Sequence, residues 1–118
     1  MTHPLHVPFL TVEDNDDLIV SFALGDYGQN SLTLLRTPKY EPILDEHERG
    51  VSLGASEGDA EEPEMLVSLQ WSRDLVEIES TVRRYRLDIA AVDAAEVEDA
   101  KIVLGKMNFD GRFKLVIV

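Results

Sequence analysis

The chain has 118 residues, no cysteine, and 23 acidic against 11 basic side chains, for a formal charge of −12. Without cysteine there are no disulfides, thiolate metal sites or cysteine nucleophiles, and so acidic a chain is a poor partner for nucleic acid or an anionic membrane. The length suits one domain over 1–118, and strand-sized apolar runs with no basic leader lead to the expectation of a cytoplasmic protein with no membrane span.

Residues up to Pro8 read as an arm or edge strand, because prolines limit ladder pairing. Phe9–Val12 is a short strand, and Glu13-Asp-Asn-Asp-Asp17 an acidic turn. In Leu18–Leu24 the residues Leu18, Val20, Phe22 and Leu24 alternate onto one face, the signature of a half-buried strand. A loop over 25–30, rich in residues that tolerate positive φ, leads into a second strand, Ser31–Thr37, so 18–37 forms a hairpin.

Pro38 and Pro42 bracket Lys39-Tyr40-Glu41. Pro42 is placed to open a single helical turn through Glu48, ended by Gly50. Val51–Leu53 reads as a short strand and 55–64, with no large apolar residue, as a mobile acidic loop.

Met65–Trp71 resumes the strand pattern, and Ser72–Asp74 makes a turn. Val76 and Ile78 then share a face that Glu77 and Glu79 avoid. The next apolar set, Tyr85, Leu87, Ile89 and Ala91, falls on odd positions. That change of parity predicts a β-bulge or bend around Arg83-Arg84. If the chain folds back there instead, Glu77 and Glu79 can pair across strands with Arg84 and Arg86.

A helix is expected over about 94–107. Asp93 is its N-cap, Glu96 completes a capping-box pattern, and Val97, Ala100, Leu104 and Met107 form its apolar stripe. Acids early and Lys101 and Lys106 late suit its dipole. The chain then ends in an apolar strand at 112–118, read as interior and pairing in parallel with 84–92. The expected fold is α+β: a twisted, mostly antiparallel sheet with one C-terminal helix packed on one face. A homodimer through an edge strand or an uncovered face is compatible with it.

The chemistry-bearing patterns are sparse. His3-x-x-His6 and Asp45-Glu-His-Glu48 contain metal-ligand types, but their spacing matches no zinc or metalloprotease pattern, so they read as solvent-exposed. An EF-hand register from Asp14 puts Leu18 at a ligand position and Ile19 where the glycine belongs, which excludes it. Gly25-Asp-Tyr-Gly28 lacks a following helix to hold an anion. Ser31, Ser52, Ser68 or Ser72 can be combined with His47 only on paper, since none sits on a strand-to-helix elbow. No cofactor or metal is implied, and no catalytic residue is assigned.

Two features remain. Residues 41–64 hold nine acids against one base, a net of −8. Arg36 in an apolar strand, with Tyr40 between two prolines, combines residue types favoured on recognition surfaces. The expectation is a non-catalytic interaction module of adaptor, inhibitor or immunity type. It would engage a basic protein partner through Glu46, Glu48, Glu61 and Glu62, with Arg36 and Tyr40 nearby. The alternative is a small-molecule or carbohydrate-binding domain, possibly enzymatic, with a site near Arg36, Tyr40 and Trp71.

Overall fold

The computed structural model describes residues 4–25, 27–28, 30–45, 49–55 and 64–118. Among the described residues, nine strands and one helix make an α+β fold. In chain order they are β1 (Leu5–His6), β2 (Leu10–Asp14), β3 (Leu18–Leu24), β4 (Asn30–Arg36), a 3-10 turn (Pro38–Ile43), β5 (Ser52–Ala55), β6 (Glu64–Trp71), β7 (Leu75–Ser80), β8 (Arg84–Asp88), helix α1 (Ala94–Met107) and β9 (Lys114–Ile117).

The sheet is twisted and mostly antiparallel, with order β1-β8-β7-β6-β5-β4-β3-β2 and β9 attached to β6. The run from Leu5 to Asp14 pairs β8 with its first residues and β3 with its last, so both ends of the strand order lie on one stretch of chain. Strand alternation explains the core. Leu18, Val20 and Phe22 on β3 and Leu32 and Leu34 on β4 are buried, and Phe22 packs on Trp71 with ring centroids 6.1 Å apart. Ser21 and Thr33 face the other way and meet through their hydroxyls at 3.0 Å.

The parity change near Arg83-Arg84 is a hairpin, not a bulge. Val76 faces Leu87 and Ile78 faces Tyr85, so even positions on β7 oppose odd positions on β8. The charged pairs Glu77–Arg86 and Glu79–Arg84 line up across the same two strands. Ser80 closes the turn, its Oγ accepting from the amides of Val82 at 3.1 Å and Arg83 at 3.0 Å. The bulge lies instead in β6, between Leu66 and Ser68, and it moves the buried set from Leu66 to Leu69 and Trp71.

Helix α1 packs against β2 and β3 and buries Ala100, Val103, Leu104 and Met107. Asp93 caps it, accepting from the Ala95 amide at 2.9 Å. Glu96 does not complete a capping box. It accepts the Leu10 amide at 2.9 Å and so satisfies a donor on the end strand β2, whose single strand neighbour among the described residues is β3. Tertiary demand has overridden the local pattern here, because an unpaired edge N–H is the costlier omission.

Four further expectations need correction. The helical turn starts at Pro38, with Pro42 inside it, because Pro38 occupies the first helical position, which needs no N–H. The strand read at Val51–Leu53 runs Ser52–Ala55. Glu64, read as loop, is buried in β6; the rest of that loop, 56–63, lies outside the described residues. The last strand is Lys114–Ile117. It pairs in parallel with β6 rather than with 84–92, and β6 is its one strand neighbour among the described residues, so it forms an edge and not an interior strand. The parallel partner of β8 is β1. No helix among the described residues is long and apolar enough to cross a membrane.

Candidate functional site

The register of β4 makes Arg36 a core residue. It shares the inward parity of Leu32 and Leu34, faces Leu18 across the ladder, and is 1 % exposed. A guanidinium has five N–H donors and no acceptor, so burial demands five partners. All are present. Nε and Nη2 donate to the two Glu41 carboxylate oxygens at 2.7 Å each. Nη1 and Nη2 donate to the two Asp110 oxygens at 2.8 Å each. Nη1 also donates to the Met107 carbonyl at 2.7 Å.

The Phe109 ring closes the site from above, with its centroid 4.2 Å from the Arg36 guanidinium carbon. Arg112 Nε donates to Asp110 Oδ2 at 2.8 Å. The positive charge also sits against the negative end of the α1 dipole. One side chain therefore ties together β4, the 3-10 turn and the C-terminus of α1.

The electrostatics follow this geometry. Burial by itself would make Arg36 easier to deprotonate, but the hydrogen bonds and charges of Asp110 and Glu41 outweigh it, and the net direction is upward. The hydrogen bond from Arg36 holds the Asp110 carboxyl well below the usual carboxylate range; burial opposes this and Arg112 reinforces it.

The 3-10 turn is braced on other sides. Thr37 Oγ1 donates to Asp17 Oδ1 at 2.7 Å, Lys39 Nζ lies 3.3 Å from Asp16 Oδ2, and the Leu44 amide bonds the Glu41 carbonyl at 2.9 Å. The acidic 13–17 turn thus supports its neighbour, and its Asp14 also meets Lys106 of α1. With Glu41 held inside, Tyr40 and Ile43 project outward, at 56 % and 82 % exposed.

A second cluster surrounds Glu64, which is 6 % exposed. Its Oε2 accepts from Ser80 Oγ and from the Tyr85 hydroxyl at 2.8 Å, and Arg83 Nε is 3.8 Å away. Burial, and then the hydrogen bond to Glu64, push the Tyr85 hydroxyl up to about 12. Among the described residues no buried side-chain polar atom lacks a partner. The Arg36 guanidinium has all five donors engaged, and the contacts to Glu64 converge on its Oε2.

Of the residues singled out from sequence, Arg36 and Tyr40 come together at the turn. Arg36 has every donor engaged, while Tyr40 is presented to solvent. Trp71 is 1 % exposed in the core and does not line the groove beside Arg36 and Tyr40. Glu46, Glu48, Glu61 and Glu62 lie outside the described residues, as do His3 and His47. Asp110, Phe109 and Ile43 were not singled out. An Asp-Gly step just beyond a helix, with an arginine two residues on, was the available signal for Asp110. Comparison with protein-family models, curated proteins and solved structures found no match to this chain.

Proposed function

We propose that this protein is a non-catalytic interaction module of adaptor, inhibitor or immunity type whose acidic surface engages a basic protein. The charge distribution carries this reading: −12 overall, with nine acids against one base in 41–64. Glu41 and Glu64 belong to that stretch but are held by buried internal partners. The contact is therefore assigned to Glu46, Glu48, Glu61 and Glu62, with the exposed Asp45 beside them. Arg36 fixes the turn that precedes Asp45 in the chain, and Tyr40 is exposed on that turn. The full internal engagement of the Arg36 guanidinium supports a bracing role for that residue rather than a catalytic one.

The test is affinity capture from the protein's own host at low and moderate salt, with tagged wild type and a variant carrying Glu46→Gln, Glu48→Gln, Glu61→Gln and Glu62→Gln. A stoichiometric basic partner that weakens steeply with salt and is lost by the variant is expected. Partner retention that ignores salt, or equal retention by the variant, rejects the reading.

A further inference from the structure

We propose that the outer edge of β9 is a self-pairing surface, and that the chain dimerises by antiparallel pairing of this strand with β9 of a second copy. The ladder to β6 sets the direction of the main-chain groups. The Val118 amide donates to the Trp71 carbonyl at 2.8 Å, and the register pairs Leu69 with Leu115 and Trp71 with Ile117. In such a ladder every second residue turns its N–H and C=O to the neighbouring strand. Val116 therefore bonds β6, while Phe113, Leu115 and Ile117 point away from it. The Phe113 amide is taken by Asn108 Oδ1 at 3.3 Å. Those of Leu115 and Ile117 meet no acceptor among the described residues. The end strand β2 is protected differently, since Glu96 takes its Leu10 donor and α1 packs against it.

The occupant follows from the strand itself. A row of unpaired N–H and C=O groups requires an extended chain, and β9 complements its own sequence. With a two-fold axis at Val116, Leu115 faces Ile117 of the second copy and Ile117 faces its Leu115, each pair exchanging both main-chain hydrogen bonds. These side chains lie on the core face, where Leu115 is half-buried and Ile117 is 47 % exposed, so pairing carries the core across the seam. On the outer face Val116 meets its own copy and Lys114 meets Val118. The two lysines then stand about 14 Å apart along the ladder, beyond the screening length of about 8 Å. Charge also selects the second copy. Two chains of −12 repel, and their association is tolerable only along a seam without acids. Residues 111–118 contain none, and the β6 neighbours Ser68, Leu69, Gln70 and Trp71 are uncharged. The axis uses the β9 edge of both copies, so assembly closes at two. So short a strand buries less than the roughly 1,200 Å² of a standard interface, which makes the dimer concentration-dependent.

The chain has no cysteine, so single introduced cysteines report their own proximity. Val116→Cys, Lys114→Cys and Val82→Cys are each held at high protein concentration under mild oxidation. Val82 is more than half exposed but lies on the β7–β8 turn. A non-hydrogen-bonded antiparallel pair sets its Cα atoms about 4.5 Å apart, within disulfide reach. Val116→Cys is therefore expected to form a covalent dimer severalfold faster than the other two. Sedimentation equilibrium of the wild-type chain should show a monomer–dimer equilibrium that tightens with salt, as net repulsion is screened. Val116→Lys puts like charges opposite each other at the axis, and should keep the wild-type circular dichroism spectrum while sedimenting as a monomer. Crosslinking no faster at 116 than at 114 or 82 overturns the proposal, and so does a wild-type chain that stays monomeric at its highest soluble concentration. A dimer that weakens with salt, or one that Val116→Lys leaves intact, places the contact elsewhere and overturns it as well. If Val116→Lys does not fold, the cysteine comparison decides alone.

Discussion

Arg36 and Asp110 stand 74 positions apart in the chain and face each other through two parallel hydrogen bonds of 2.8 Å. The pair closes the fold: it fastens the end of β4 to the segment beyond α1, while Glu41 fastens the same guanidinium to the 3-10 turn. A buried charge costs several kcal/mol to desolvate, so such an arrangement is tolerable only when every donor is met. Here every donor is.

Removal of the arginine should therefore be expensive. Arg36→Ala leaves Glu41 buried without its counter-charge, and urea denaturation should show a loss of about 3–5 kcal/mol. Arg36→Lys keeps the charge but has three donors and no planar fork, so it should recover only part of that loss. A loss under about 1 kcal/mol for Arg36→Ala would show that the clamp contributes little.

The acid limb of stability should report on Asp110. Its folded carboxyl is held below the ordinary value of 3.8, so its contribution is complete above that pH and declines as pH falls toward the folded value. Chemical denaturation repeated below pH 4 should show a steeper decline for wild type than for Asp110→Asn. Parallel curves would assign the acid limb to other carboxylates.

The alkaline limb should report on Tyr85, with the opposite sign. Its hydroxyl is raised from 10.0 to about 12, so folding favours the protonated form. The contribution is complete below pH 10 and is lost as pH rises through about 12. Tyr85→Phe should cost about 1.5–3 kcal/mol at neutral pH, as expected for a hydrogen bond to a charged group, and should flatten the decline above pH 10. Thermal melts across that range would show either result.

Two glycines should respond in opposite directions to alanine. Gly28 has φ +67°, and a Cβ there would sit 2.9 Å from Phe9 Cε1, so Gly28→Ala should destabilise by about 1–2 kcal/mol or more. Gly105 is inside α1 with nothing within 4 Å of an added Cβ, so Gly105→Ala should stabilise by about 0.5–1 kcal/mol. Melting temperatures of the two variants should move apart.

Strand positions and the helix were legible in the sequence because they depend on period. Leu18, Val20 and Phe22 announce β3, and Asp93 with the Val97–Met107 stripe announces α1. The Glu77–Arg86 and Glu79–Arg84 pairs were foreseeable once the chain was allowed to fold back. The fate of Glu96 was not, since its partner Leu10 lies 86 positions away. The bulge in β6 was equally hidden, because apolar residues at Leu66, Val67 and Leu69 fit either face. Around the candidate site, Arg36 and Tyr40 stood out by type. Nothing local said that the first would be buried and the second exposed.

The sequence by itself determined the fold class, the hairpin from Leu18 to Arg36, the capped helix and the net charge of −12. Each rests on interactions within about a dozen residues or on composition alone. Only the tertiary structure decided that β9 joins β6, that Glu41 and Glu64 leave the acidic stretch for the interior, and that Arg36 gathers Glu41, Met107 and Asp110. A charge in sequence has no address. It acquires one when burial removes water and obliges each polar group to find a partner, wherever along the chain that partner lies.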